Sequence, residues 1–123
     1  MSNIPTVIAF CEAWKSRDAD RIAALVSEDC FYHNVPMEPV VGRAAIAEFI
    51  RGFLGDASSV EFEMLTIAEA ADGTVLTERV DRFVTAAGKV ALPVMGSFKL
   101  KDGLIARWLD YFDMGQFAPQ PAE

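Results

Sequence analysis

Leu76-Thr77-Glu78-Arg79-Val80-Asp81-Arg82-Phe83-Val84 places four charged residues inside a stretch that otherwise reads as a β-strand. Residues two apart on a strand point to the same face, about 6.5 to 7 Å apart along the chain. Arg79 and Asp81 therefore share a face, and the arginine fork can reach its neighbour's carboxylate. That face is either solvated or chemical, and an exposed ion pair there would contribute only about 0 to 1 kcal/mol. Working outward, the period of two persists. Val60 to Ala70, Thr74 to Ala86, Lys89 to Leu100 and Leu104 to Asp113 read as four strands, with Asp72-Gly73, Ala87-Gly88 and Asp102-Gly103 at the turns. Short turns make this an antiparallel meander. Pro93, which cannot donate to a ladder, belongs at an edge position or a bulge.

Upstream the period is 3.6. Ile4, Val7, Ile8, Cys11 and Trp14 define an amphipathic helix, with Ser2 or Asn3 as N-cap and Pro5 tolerated in the first turn. A second helix is predicted after Asp18, with Ile22, Leu25 and Val26 as its stripe and Ser27-Glu28-Asp29 ending it. Cys30 to Val35 reads as a short strand cut off by Pro36, with Tyr32 and Asn34 on one face and His33 on the other. From Gly42 a third helix runs to about Leu54, with Ala45, Ile46, Phe49, Ile50 and Phe53 inward and Gly55 as its stop. Helices first and a long sheet afterwards define an α+β domain in which a strongly curved, mainly antiparallel sheet wraps the helices. One domain is expected over residues 1–123.

Composition narrows the function. The chain is 52% hydrophobic with nine Phe and two Trp, enough apolar area for a lined cavity as well as a core. A net charge of −7 without a Lys/Arg cluster argues against nucleic acid and anionic membranes as partners. No basic segment precedes an apolar one at the N-terminus, and no apolar run approaches the roughly 18 residues of a membrane span, so a cytoplasmic protein is expected. Cys11 and Cys30 lack C-x-x-C spacing and are expected to be buried and reduced. His33, the one histidine, is too little for the usual zinc site and reads as a hydrogen-bonded structural residue.

On the last strand Leu104, Ala106, Trp108, Asp110 and Phe112 alternate onto one face, which sets the Asp110 carboxylate among apolar groups. Burial alone would raise its pKa, whereas Arg79 within reach would keep it ionised. Two carboxylates, Asp81 and Asp110, sharing one arginine would make an acid–base pair with one acid protonated and the other ionised. A buried network that only ties the sheet together would use the same residues, and periodicity does not choose between the two.

Arg79-Val80-Asp81, Leu92-Pro93-Val94-Met95-Gly96-Ser97-Phe98 and Trp108-Leu109-Asp110-Tyr111-Phe112-Asp113, with Tyr32-His33-Asn34 upstream, together resemble the limonene-1,2-epoxide hydrolase family over nearly the whole chain. The resemblance implies the cystatin-like fold, also called NTF2-like, and a catalytic triad falling on Asp81, Arg79 and Asp110. It also places the water-binding pair on Tyr32 and Asn34. The reaction it implies needs no cofactor and no metal. Asp110 takes a proton from a water held by Tyr32 and Asn34, while Asp81 gives one to the oxygen of a small lipophilic epoxide. The departures are a shorter N-terminus than the limonene enzyme's and a different set of apolar pocket residues.

A ketosteroid isomerase or polyketide cyclase on the same fold would take its base from the segment Asn34 to Glu38, where Asn34 stands in place of a carboxylate and only Glu38 is near. A non-catalytic binding module would have no need for two acids flanking an arginine. Glu78 with Arg82, and Arg107 with Asp113, are expected to form surface pairs. Leu76, Val80, Val84, Val90, Leu92 and Val94 are expected on an outer sheet face that a homodimer would cover, and the resemblance points to a dimer as well.

Overall fold

A computed structural model describes residues 2–117 of the chain. Helix α1 spans Ile4–Ala13 and runs into a 3-10 turn at Trp14–Ser16. Ser2 Oγ accepts from the Ile4 N–H at 3.1 Å, while Asn3 spends its side chain on the Gly73 carbonyl. The buried positions of α1 are Val7, Phe10, Cys11 and Ala13; Ile8, assigned to the stripe above, is 41% exposed, and Phe10 takes its place. Arg17 ends this segment in the left-handed region, and Asp18 then caps α2 (Ala19–Ala23) by accepting from the Asp20 and Arg21 amides.

Helix α2 is shorter than expected. Leu25 and Val26 do not extend it, because β1 already begins at Val26 and runs to Asn34, taking in Ser27, Glu28 and Asp29. A two-residue strand β2 (Val40–Val41) follows, paired antiparallel to β1, and then helix α3 (Arg43–Leu54). Ile46, Ala47, Ile50 and Leu54 form the buried stripe of α3, with Phe49 partly buried; Ala45 faces solvent, and Phe53 sits on the rim.

The four predicted strands are present as β3 (Ser59–Glu69), β4 (Val75–Thr85), β5 (Gly88–Lys101) and β6 (Leu104–Tyr111). The sheet order is β2-β1-β6-β5-β4-β3, antiparallel throughout except where β1 runs parallel to β6. Pro93 pairs with Val80 on β4, while β6 reaches along β5 only as far as Met95, so Pro93 lies on a locally free edge. The sheet curves around α1. Phe10 meets Trp108 edge-on at 4.8 Å and Phe98 at 6.2 Å, and Trp14 stacks on Phe62 at 4.7 Å, so strands β3, β5 and β6 close on α1 and the 3-10 turn that follows it.

Two face assignments change. The register shift between Lys99 and Leu100 inserts one residue into β6, so Ile105, and not Leu104 or Ala106, joins Trp108 and Asp110 in the interior. On β5, Val90, Leu92 and Val94 stand opposite Phe83, Asp81 and Arg79 and are 5, 3 and 3% exposed. Cross-strand partners point to one face. These three valine and leucine side chains therefore line the interior and cannot form an outer patch. Among the described residues no helix is long and apolar enough to cross a membrane.

Candidate active site

Strand β4 turns its polar side inward. Thr77, Arg79 and Asp81 are all buried, between Val75 and Phe83 on the same face. The cost of burying that guanidinium is met by complete pairing. Nε donates to Asp81 Oδ1 at 2.9 Å and Nη2 to Asp81 Oδ2 at 2.8 Å, a side-on bidentate clasp. Nη2 also donates to Asp110 Oδ2 at 3.0 Å, and Nη1 donates to Asp110 Oδ1 at 3.2 Å and to Thr77 Oγ1 at 3.1 Å. All five N–H bonds of the fork are used. Phe62 lies under the guanidinium at 4.9 Å.

The two carboxylates are not equivalent. Trp108 Nε1 donates to Asp110 Oδ1 at 2.9 Å, so Asp110 receives three N–H bonds and Asp81 two. Burial pushes the Asp81 carboxyl up to about 6, against the pull of Arg79. Burial also works against the Arg79 charge, but Asp110 and Asp81 outweigh it and hold the guanidinium well above its ordinary value. A carboxyl whose pKa is raised to about 6 thus shares an arginine with a second carboxylate.

The parallel pairing of β1 with β6 sets Asn34 beside Asp110 and Tyr32 beside Trp108. Tyr32 stacks on the Trp108 indole at 3.9 Å, and Asn34 Nδ2 donates to Tyr32 Oη at 2.7 Å. Burial, with the nearby Asp110, holds the Tyr32 hydroxyl protonated well above its usual range. All five side chains singled out in the sequence meet here, and Tyr32, Asn34, Asp81 and Asp110 line one cavity of about 140 Å³ whose other walls are apolar. His33 points elsewhere, its Nε2 2.8 Å from the Met37 carbonyl.

Three residues of the site escaped the sequence reading. Thr77 supplies the fifth acceptor for the arginine, and Trp108 was read only as an apolar neighbour although it stands two before Asp110 on the same face. Gly96 is the third. A Cβ there would lie 2.6 Å from Arg79 Nη1, 2.7 Å from Thr77 Oγ1 and 2.9 Å from Asp110 Oδ1, so only glycine admits the guanidinium. A glycine inside a strand is the signal for such close approach. Cys11 and Cys30 are free and buried, and burial pushes each thiol up to about 12. The expected surface pairs differ: Arg82 donates to Glu63 across the sheet, Glu78 accepts from Thr66, Arg107 lies over Phe31, and Asp113 caps a 3-10 turn at Met114–Gln116. Cross-strand neighbours are closer than the residues four and six apart paired above.

The family model for the limonene-1,2-epoxide hydrolase catalytic domain matches residues 1–120. The chain belongs to this family. It is 36% identical over 109 residues to epoxide hydrolase EphG of Mycobacterium tuberculosis, covering 88% of this chain and 71% of that one. Among solved structures, an M. tuberculosis LEH-like epoxide hydrolase superposes with a TM-score of 0.81 at 32% identity, over 94% of this chain and 85% of the other. A putative SnoaL-like polyketide cyclase from Shewanella denitrificans gives 0.84 at 10% identity, over 93% and 92% of the two chains, which speaks for the shared fold alone. The limonene-1,2-epoxide hydrolase family thus has here an α+β, NTF2-like cone carrying an Asp-Arg-Asp cluster at the floor of its cavity.

Proposed function

We propose that this member of the limonene-1,2-epoxide hydrolase family opens a small to medium lipophilic epoxide to a vicinal diol in one step. The observation that carries this reading is the single buried arginine clasping two cavity-lining carboxylates, one of which holds its proton up to about pH 6. Asp110, ionised, takes a proton from a water held also by Tyr32 and Asn34. The water oxygen forms a bond to one ring carbon, that carbon's bond to the ring oxygen breaks, and Asp81 delivers its proton to the departing oxygen. Atoms balance without a covalent enzyme intermediate. General acid and base each lower the barrier at the moment charge develops, and ring strain supplies driving force.

The isomerase alternative lacks its base, since Glu38 is exposed and stands outside the cavity lining. We also assign the protein to the cytoplasm as a homodimer. The outer sheet face supports the dimer through Leu76, Met95 and Tyr111, each about half exposed.

Following the water's oxygen tests the mechanism. In a single turnover with excess enzyme in ¹⁸O-labelled water, direct attack puts label into the diol at once. Unlabelled diol in that first turnover would mean that a carboxylate attacked the ring. Tight binding of a small lipophile without diol from any epoxide would point to a binding module instead.

A further inference from the structure

The strands that carry the two acids each place a phenylalanine one step further along the cavity wall. Phe83 stands two residues after Asp81 on β4, and Phe112 two after Asp110, just past the end of β6; both line the cavity. Phe117 bridges them, with ring centroids 6.2 Å from Phe83 and 6.3 Å from Phe112. Phe53 of α3 closes the circle from the other side, 5.1 Å from Phe83 and 5.6 Å from Phe117, with Phe49 parallel to it at 6.2 Å. The result is an aromatic collar whose Phe83 and Phe112 members stand one strand step, about 6.5 to 7 Å along the chain, from the carboxylates.

We propose that this collar selects oxiranes bearing an aromatic ring on one of the two ring carbons. The inference rests on the epoxide-opening reading above and names the substrate class of the same site. Three properties of the collar lead to it. Its distance from Asp81 and Asp110 matches a ring attached directly to the oxirane, without a spacer. Its walls are phenylalanine side chains, while the polar groups of the cavity, Tyr32, Asn34, Asp81 and Asp110, are gathered at the floor. A hydroxyl or carboxylate on the substituent would therefore be buried unpaired. Its size is small: about 140 Å³ lies well below the roughly 300 to 1,000 Å³ of cavities that enclose drug-sized ligands. That leaves room for one ring. A planar arene entering the collar meets ring edges and faces at the offsets that aromatic pairs favour, which a saturated ring of the same carbon count cannot exploit.

The test compares phenyloxirane with cyclohexyloxirane, whose carbon skeletons are the same. Benzylic activation changes the intrinsic reactivity of the first, so the quantity read is the ratio of their kcat/KM values in the wild type against the same ratio in Phe53→Leu and Phe117→Leu. Both residues are partly exposed, and circular dichroism checks that each variant is folded. The proposal requires the phenyl-to-cyclohexyl ratio to fall by about three- to tenfold in each variant. An unchanged ratio in both folded variants, or a wild type that opens cyclohexyloxirane and leaves phenyloxirane intact, overturns it while leaving epoxide hydrolysis standing. Absence of diol from these two and from a broad panel of other epoxides is a different result, and it removes the underlying reading itself.

Discussion

Trp108 donates its indole N–H to Asp110 Oδ1 at 2.9 Å, and Asp81 has no counterpart to this bond among the described residues. The two acids thus differ in their donors, and burial raises the pKa of Asp81, served by Arg79 alone, to about 6. This inequality supports the proposed roles of Asp110 as base and Asp81 as acid.

Replacing either aspartate with Asn keeps the shape and removes proton exchange. Asp110→Asn and Asp81→Asn should each lower turnover by about 10² to 10⁴ while circular dichroism stays unchanged. An Asp110→Asn protein retaining more than about a tenth of the wild-type rate would remove Asp110 from the role of base.

Asp81 also sets a pH dependence of stability. Its folded pKa of about 6 lies above the unfolded value near 4, so the folded chain holds this proton more tightly. The stability it contributes, of the order of 2 to 3 kcal/mol, is fully present below about pH 4 and is lost as pH rises through about 6. Denaturant midpoints of the wild type and Asp81→Asn, measured from pH 4 to pH 7, should show the wild type losing ground as pH rises. A wild type that gained ground would mean that Asp81 is ionised at rest.

Arg79→Lys should not restore function. A lysine offers one point charge in place of the fork whose five N–H bonds meet Asp81, Asp110 and Thr77. Near-normal kcat/KM in this variant would show that charge alone suffices.

Gly96→Ala is the smallest change that should disable the site. Its methyl would fall within 3 Å of Arg79, Thr77 and Asp110 side-chain atoms, so overpacking should cost about 1 to 3 kcal/mol and displace the fork. Thermal melts and kcat/KM should both fall. An unaltered rate would mean that the guanidinium has more latitude than its contacts imply.

Light scattering should give a mass near twice 13.5 kDa at micromolar concentration. Met95→Lys, on the exposed outer face, should shift that mass toward the monomer. A wild-type monomer would set the dimer aside.

The meander was legible because Asp72-Gly73 and Asp102-Gly103 punctuate it, and the candidate site because strand parity allows Arg79, Asp81 and Asp110 to meet and the family resemblance singles them out with Tyr32 and Asn34. Other features were hidden for physical reasons. Ser27-Glu28-Asp29 reads as a polar stop, yet β1 carries it because Val26 and Cys30 on either side are buried. The inserted residue in β6 reverses the alternation before Trp108, and nothing in Leu104 to Arg107 announces it. Val90, Leu92 and Val94 read as outward-facing alongside Leu76, Val80 and Val84, because each strand alternates and the alternation alone does not say which face of β5 joins which face of β4. Here the charges mark the interior, and only the register of β4 against β5 reveals which face the apolar residues join.

Nη2 of Arg79 touches both acids at once, at 2.8 Å from Asp81 Oδ2 and 3.0 Å from Asp110 Oδ2. In the proposed mechanism one cation lies between two carboxyl groups that share a single proton, which makes the cluster electrically neutral. Turnover moves that proton's place, from Asp81 to Asp110, without changing the sum. The cavity therefore finishes the reaction as a mirror image of how it began. Its phenylalanine walls would then face no net charge at either end of the proposed reaction, and the enzyme is ready again once Asp81 has regained a proton and Asp110 has lost one.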